Sequence, residues 1–181
     1  MQKVDDWEPY ALEILAGVLD GNPASRLNRD LVRRDRIAVD ISASYDSVNR
    51  GPALFEFDGV PSEGSSVADL ETAIRGEIEQ LKDEGITEEE LQRVKAQVIA
   101  ADVYQRDSMF YQAMQIGMLE STGLSWRYLD EFPQRLQAVT AEQVQAVARK
   151  YLVDDQLTAA VLDPQPIDEN KPQHQEMPHV H

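Results

Sequence analysis

Apolar residues along this chain recur at two spacings, and the change of spacing divides it. From about residue 5 to 19 the period is helical: Leu12, Leu15, Ala16 and Leu19 fall at i, i+3, i+4 and i+7, flanked by Ile14 and Val18. Asp5 or Asp6 can cap the start, where acids suit the positive end of the helix dipole. Asp20-Gly21-Asn22-Pro23 then stops it. A second short helix is predicted over roughly 24–35, with Leu27 and Leu31 on one face. The period then becomes two. Val39, Ile41, Ala43 and Tyr45 alternate with Asp40, Ser42 and Ser44, which predicts a strand with one buried face. After a loop at 46–52, Phe55 and Phe57 alternate with Glu56 and Asp58 in a second strand, about 53–60. The short connection makes the pair an antiparallel hairpin.

Helical spacing returns near Ser66, with Val67, Leu70, Ile74, Ile78 and Leu81 on one stripe and Gly85 as the stop. Thr87 and Glu90 fit a capping box, in which side chains satisfy each other's free backbone donors. It opens a helix over about 88–106 with Leu91, Val94, Val98 and Ala101 inward. Helices at about 109–121 and 126–137 follow, and Thr140 to Gln143 is a second capping box before Val144, Val147, Ala148 and Tyr151. The run Leu157–Leu162 is apolar on both faces and reads as a buried, central strand. Strands and helices come in blocks, so the expected class is α+β: a two-layer domain, an antiparallel sheet packed on one face by helices. A central strand needs neighbours on both sides. Three strands leave little room for that, so residues 1–163 are expected to form one domain lacking its first strand. Residues 164–181 hold four prolines and no apolar period, and read as a disordered tail.

Composition removes whole classes of chemistry. The 181 residues are 42% hydrophobic, enough for a core, and carry a formal net charge of -16. That charge repels phosphate backbones, so neither nucleic acid nor an anionic membrane surface is an expected partner. There is no cysteine, hence no disulfide, zinc ribbon or thiol nucleophile. No apolar run reaches the ~20 residues of a membrane span, and the opening MQKVDDWEPY lacks the apolar stretch of a signal peptide. All three histidines, His174, His179 and His181, lie in the tail. The body therefore offers no imidazole for zinc, for a catalytic triad or for a general base. Glu88, Glu89 and Glu90 read as first-turn acids rather than metal ligands, and Glu56 with Asp58 as a solvated strand face rather than a carboxylate pair. Met109, Met114 and Met118, with Phe110 and Tyr111, read as core packing, with an interface as the alternative; Trp7 and Trp126 read as packing or interface residues.

Several segments, in order, resemble one family. Pro23-Ala24-Ser25-Arg26-Leu27-Asn28-Arg29-Asp30-Leu31 is similar to the turn and S-R-L-x-x-x-L of M16 (pitrilysin/insulinase) zinc peptidases. Ala38 to Tyr45 lies where that family has A-Y-S-V-S-A-S-Y. Gly85-Ile86-Thr87-Glu88-Glu89-Glu90-Leu91 with Lys95 looks like its G-[IV]-T-x-x-E-L-x-x-x-K, and Val139-Thr140 to Tyr151 like its V-T-x-x-x-V-x-x-x-A helix. The resemblance covers about residues 5–165. It implies a LuxS/MPP-like metallohydrolase-type half that lacks the inverted zinc motif H-x-x-E-H. Zinc is then expected on a partner half, on the same polypeptide or another chain, with none in this segment. The implied role is the substrate-enclosing, non-catalytic half of a metalloendopeptidase; a degenerate scaffold module is the alternative. A peptide is the implied substrate, and a bacterial periplasm the implied location. The family's second half lends the active site an Arg and a Tyr. The match places Arg33 at the Arg position, with Arg34 as neighbour, and both are expected to bind substrate. The Tyr position falls on Val39, which has no donor. Either the partner half does without that donor, another residue supplies it, or activity is lost.

Overall fold

The computed structural model describes residues 6–163; the predicted tail at 164–181 lies outside them. Helix α1, Glu8–Asp20, is buried along most of its length, and the Asp6 carboxylate accepts from the Glu8 amide at 3.1 Å. Strands β1, Ala38–Tyr45, and β2, Phe55–Pro61, pair antiparallel, with Tyr45 opposite Phe55 and Ala43 opposite Phe57. The opposed rings of Tyr45 and Phe55 stack at 6.3 Å and help to hold that register. Helices α2, Val67–Glu84, α3, Glu88–Gln105, α4, Met109–Thr122, α5, Tyr128–Ala138, and α6, Ala141–Tyr151, complete the described elements with a short 3-10 turn, Asp154–Gln156. Helices α1 and α2 pack on the hairpin, which gives the expected α+β class. Both predicted capping boxes form, at Thr87 with Glu90 and at Thr140 with Gln143, and a third forms at Ser66 with Asp69. No described helix is long and apolar enough to cross a membrane.

The core runs from α1 through Leu27, Leu31, Ile41, Leu81, Leu91 and Val94 to the inner face of α6. Helices α1 and α3 approach closely within it. A Cβ built on Gly17 would lie 2.6 Å from a Val94 methyl, so glycine is what lets these helices approach.

Four expectations are corrected. The helix predicted over 24–35 narrows to a π-helical segment, Asn28–Arg34, with the Asp35 amide bonded to the Asp30 carbonyl at 2.9 Å. The widened turn carries Asp30 inward, between Arg29 and Arg34. Val39 does not share the buried face of Ile41 and Ala43. The register shifts between Ala38 and Asp40, a bulge that puts Ala38 inside and leaves Val39 64% exposed. The methionine helix is not core: Met109 and Phe110 are 87% and 80% exposed, and only Leu119 of α4 is buried. Finally, Leu157–Leu162 forms no ladder, and Leu157 and Val161 are 51% and 62% exposed. Its apolar sequence suits a position between two strands, and no strand lies beside it among the described residues.

Candidate functional site

The segments that carry the family resemblance converge on one another. Ser25 accepts the Asn22 amide at 2.8 Å, closing the turn after α1. Arg26, nearly buried, then reaches across to the start of α3. Its guanidinium forks onto both Glu90 oxygens at 2.7 and 2.8 Å and also donates to the Gly85 carbonyl at 3.0 Å. Glu90 meanwhile accepts the Thr87 amide at 2.8 Å, so one carboxylate serves the helix cap and the ion pair. Burial works against that charge, but the Arg26 fork and the Thr87 donors outweigh it and hold the carboxyl down at about 2. One turn on, buried Lys95 donates to the Gln137 and Val139 carbonyls at 2.8 and 2.6 Å, where α5 ends. Burial lowers its pKa. Arg26, Glu90 and Lys95 thus each tie one helix terminus to another element.

Arg33 and Arg34, the predicted substrate-binding residues, differ sharply. The Arg34 guanidinium bonds Asp30 at 2.7 Å and Asp35 at 2.8 and 2.9 Å, with Glu77 at 4.0 Å. Arg33 is exposed and makes no hydrogen bond or ion pair among the described residues. Both lie in the last turn of the π-helical segment, just before the bulge that turns Val39 outward. The sequence reading missed Asp30, which is 3% exposed and anchors Arg29 and Arg34; its i, i+4 spacing to Arg34 was the available signal. It also missed Glu77, buried on α2 with one oxygen lacking a partner among the described residues. Burial and then the Asp30 charge raise its pKa.

The donor set does not fit a hydrolytic zinc. Among the described residues no group of three or more His, Cys, Asp or Glu could hold a metal, and the body contains neither histidine nor cysteine. No hydrolytic step is therefore assigned to these residues.

Residues 1–98 match the family model described as the peptidase M16 inactive domain. The chain belongs to that family. Over 153 residues it is 28% identical to the uncharacterized zinc protease YmxG of Bacillus subtilis, a match covering 84% of this chain and 37% of that protein. Two solved structures share the fold of this M16 inactive domain. One is a protease from Helicobacter pylori, with TM-score 0.77, 21% identity, and coverage of 84% of this chain and 36% of that one. The other is the inactive peptidase domain of a protein from Bordetella parapertussis, with TM-score 0.77, 19% identity, and coverage of 93% and 90%. The M16 inactive domain here thus spans little more than a third of its curated relative.

Proposed function

We propose that this M16 inactive domain is the substrate-enclosing, non-catalytic half of a zinc metalloendopeptidase, closing a peptide chamber opposite a half that carries H-x-x-E-H. The observation that carries the reading is the contrast at the end of the π-helical segment. Arg34 is spent on Asp30 and Asp35, whereas the neighbouring Arg33 projects a guanidinium with no partner among the described residues. A guanidinium is charged at any working pH and donates in a fork, which suits a peptide carbonyl or a developing oxyanion. Zinc and its activated water would belong to the companion half. The net charge of -16 would steer basic peptides toward such a chamber.

The test is Arg33→Ala in the assembled peptidase. A charge-assisted hydrogen bond contributes about 1.5–3 kcal/mol, so kcat/KM is expected to fall about 10- to 100-fold with the melting temperature unchanged. Unaltered kinetics would reduce Arg33 to a helix terminator. A second reading, an assembly scaffold without proteolysis, is favoured by Val39, a side chain without a donor set outward at the bulge. It requires that the assembled protein cleave no peptide and that its companion half lack H-x-x-E-H.

A further inference from the structure

Helix α4 carries its apolar stripe on the wrong side. Phe110, Ala113, Met114 and Gly117 stand at i, i+3, i+4 and i+7, the spacing of a helix face that packs on a core. Yet all four are exposed. The buried residue of the helix, Leu119, lies nine positions from Phe110, half a turn away at about 100° each. The stripe therefore points into solvent, beside the exposed Met109. From Ser108 to Leu119 there is no charged side chain, in a chain that is 28% charged. Gly117 has no explanation within the chain. A Cβ built there would meet nothing within 4 Å among the described residues, and glycine weakens a helix interior.

We infer that α4 is a self-association surface, on which a second copy of this chain packs its own α4 antiparallel about a two-fold axis. Shape points to this occupant. An axis passing between Ala113 and Met114 brings Phe110 of one copy over Gly117 of the other, and Met114 against Ala113. Each bulky side chain then meets a small one, and does so twice, which is the reciprocal pairing that a closed dimer demands. Helices meet at about 8–10 Å when small residues lie at the contact, and Gly117 and Ala113 supply them.

Charge agrees. Two copies at -16 each repel, so they approach best where neither carries charge, and the run 108–119 is such a place. A basic partner, which the rest of the chain would attract, finds no carboxylate on this stripe. Area agrees too. The large apolar side chains exposed between Val103 and Met118 leave roughly 800 Å² uncovered, counting about 200 Å² for each whole ring. The largest patch on an ordinary monomer is about 300–600 Å², and a specific interface covers about 800 Å² a side. The dimer stands whether or not Arg33 meets substrate.

The experiment is sedimentation equilibrium on the 181-residue chain from about 1 to about 200 µM. A monomer–dimer equilibrium is expected, with Kd on the order of 10 µM, and it should tighten as added salt screens the net charge. Gly117→Leu fills the hollow. Leucine suits a helix better than glycine, so circular dichroism and melting temperature should hold or rise while Kd rises at least about 10-fold. Phe110→Ala should also weaken the dimer, and combining it with Gly117→Leu, which exchanges bump and hollow, should restore it. Ala113→Cys, in a chain with no cysteine of its own, should give a disulfide-linked dimer on mild oxidation. A chain still monomeric at about 200 µM, a dimer kept or strengthened by Gly117→Leu, a double variant no tighter than the single ones, or Ala113→Cys chains that stay unlinked would each overturn the inference. So would a longer parent polypeptide that sediments as a monomer and shields Ala113→Cys from a maleimide, since its own companion half then covers the stripe.

Discussion

Replacing Glu13 by glutamine should stabilise the fold at pH 8 and do almost nothing at pH 4. Glu13 sits on α1 under the loop after β1. Its carboxyl accepts a hydrogen bond from the Ser47 hydroxyl, which also lies 3.2 Å from the Tyr128 hydroxyl. Tyr10, Tyr128 and Phe132 pack around the same place, with ring centroids 5.7–5.9 Å apart. Burial among these groups, against the Ser47 bond and assisted by the Asp46 charge, pushes the Glu13 carboxyl up to about 7. An unfolded glutamate titrates near 4.3. The folded state therefore holds the extra proton between those values. The stabilisation that goes with it is complete below about pH 4 and is lost as pH rises through about 7. A difference of about 2.7 pK units at about 1.4 kcal/mol each gives about 4 kcal/mol in all. Glutamine keeps the shape and the acceptor for Ser47 and cannot ionise. Urea unfolding at pH 4 should find parent and variant within about 1 kcal/mol, and at pH 8 the variant should be the more stable by up to about 4 kcal/mol. A gap independent of pH, or a variant that is weaker at pH 8, would refute the argument, because either result means that Glu13 ionises freely in the fold.

Two further outcomes test the packing. Arg26→Met leaves the Glu90 carboxylate and the Gly85 carbonyl without their guanidinium, and should cost about 3–5 kcal/mol in chemical unfolding, as breaking a buried pair does; a loss below 1 kcal/mol would show that water replaces it. Arg36 holds a left-handed backbone, φ 55°, locked by Ser62, whose hydroxyl bonds the Arg36 and Ile37 carbonyls at 2.5 and 3.1 Å. Arg36→Gly removes the Cβ penalty and should raise the melting temperature by about 2–4 °C; a fall would show that the arginine side chain contributes more than the backbone strain takes away.

The sequence made the helices legible because each carries its own signal. The Thr87 and Thr140 boxes, Gly85 as stop and the stripes on α1 and α6 need no long-range partner, and they form where expected. What failed depends on contacts far apart in sequence. Alternation alone put Val39 inside; the bulge that reverses it comes from pairing with Val60 and Pro61, twenty residues on. Met109, Met114 and Phe110 are apolar enough for a core, but α4 has too little of the described chain against it to bury them. Arg33 and Arg34 are indistinguishable as letters. Only the inward turn of Asp30 in the π-helical segment commits one and leaves the other free.

The segments that resemble the family serve the packing of this domain. Serine and arginine after α1 close a turn and reach Glu90; Thr87 and Glu90 start α3 and receive that arginine; Lys95 finishes α5. These contacts join the turn after α1 to the start of α3, and α3 to the end of α5. Chemistry is absent from the set, and geometry is its whole content. A change at Val39 is tolerable to this fold, because the bulge already places that side chain outside the core. Loss of Arg26 or Lys95 is not, since each sits nearly buried with partners on another element.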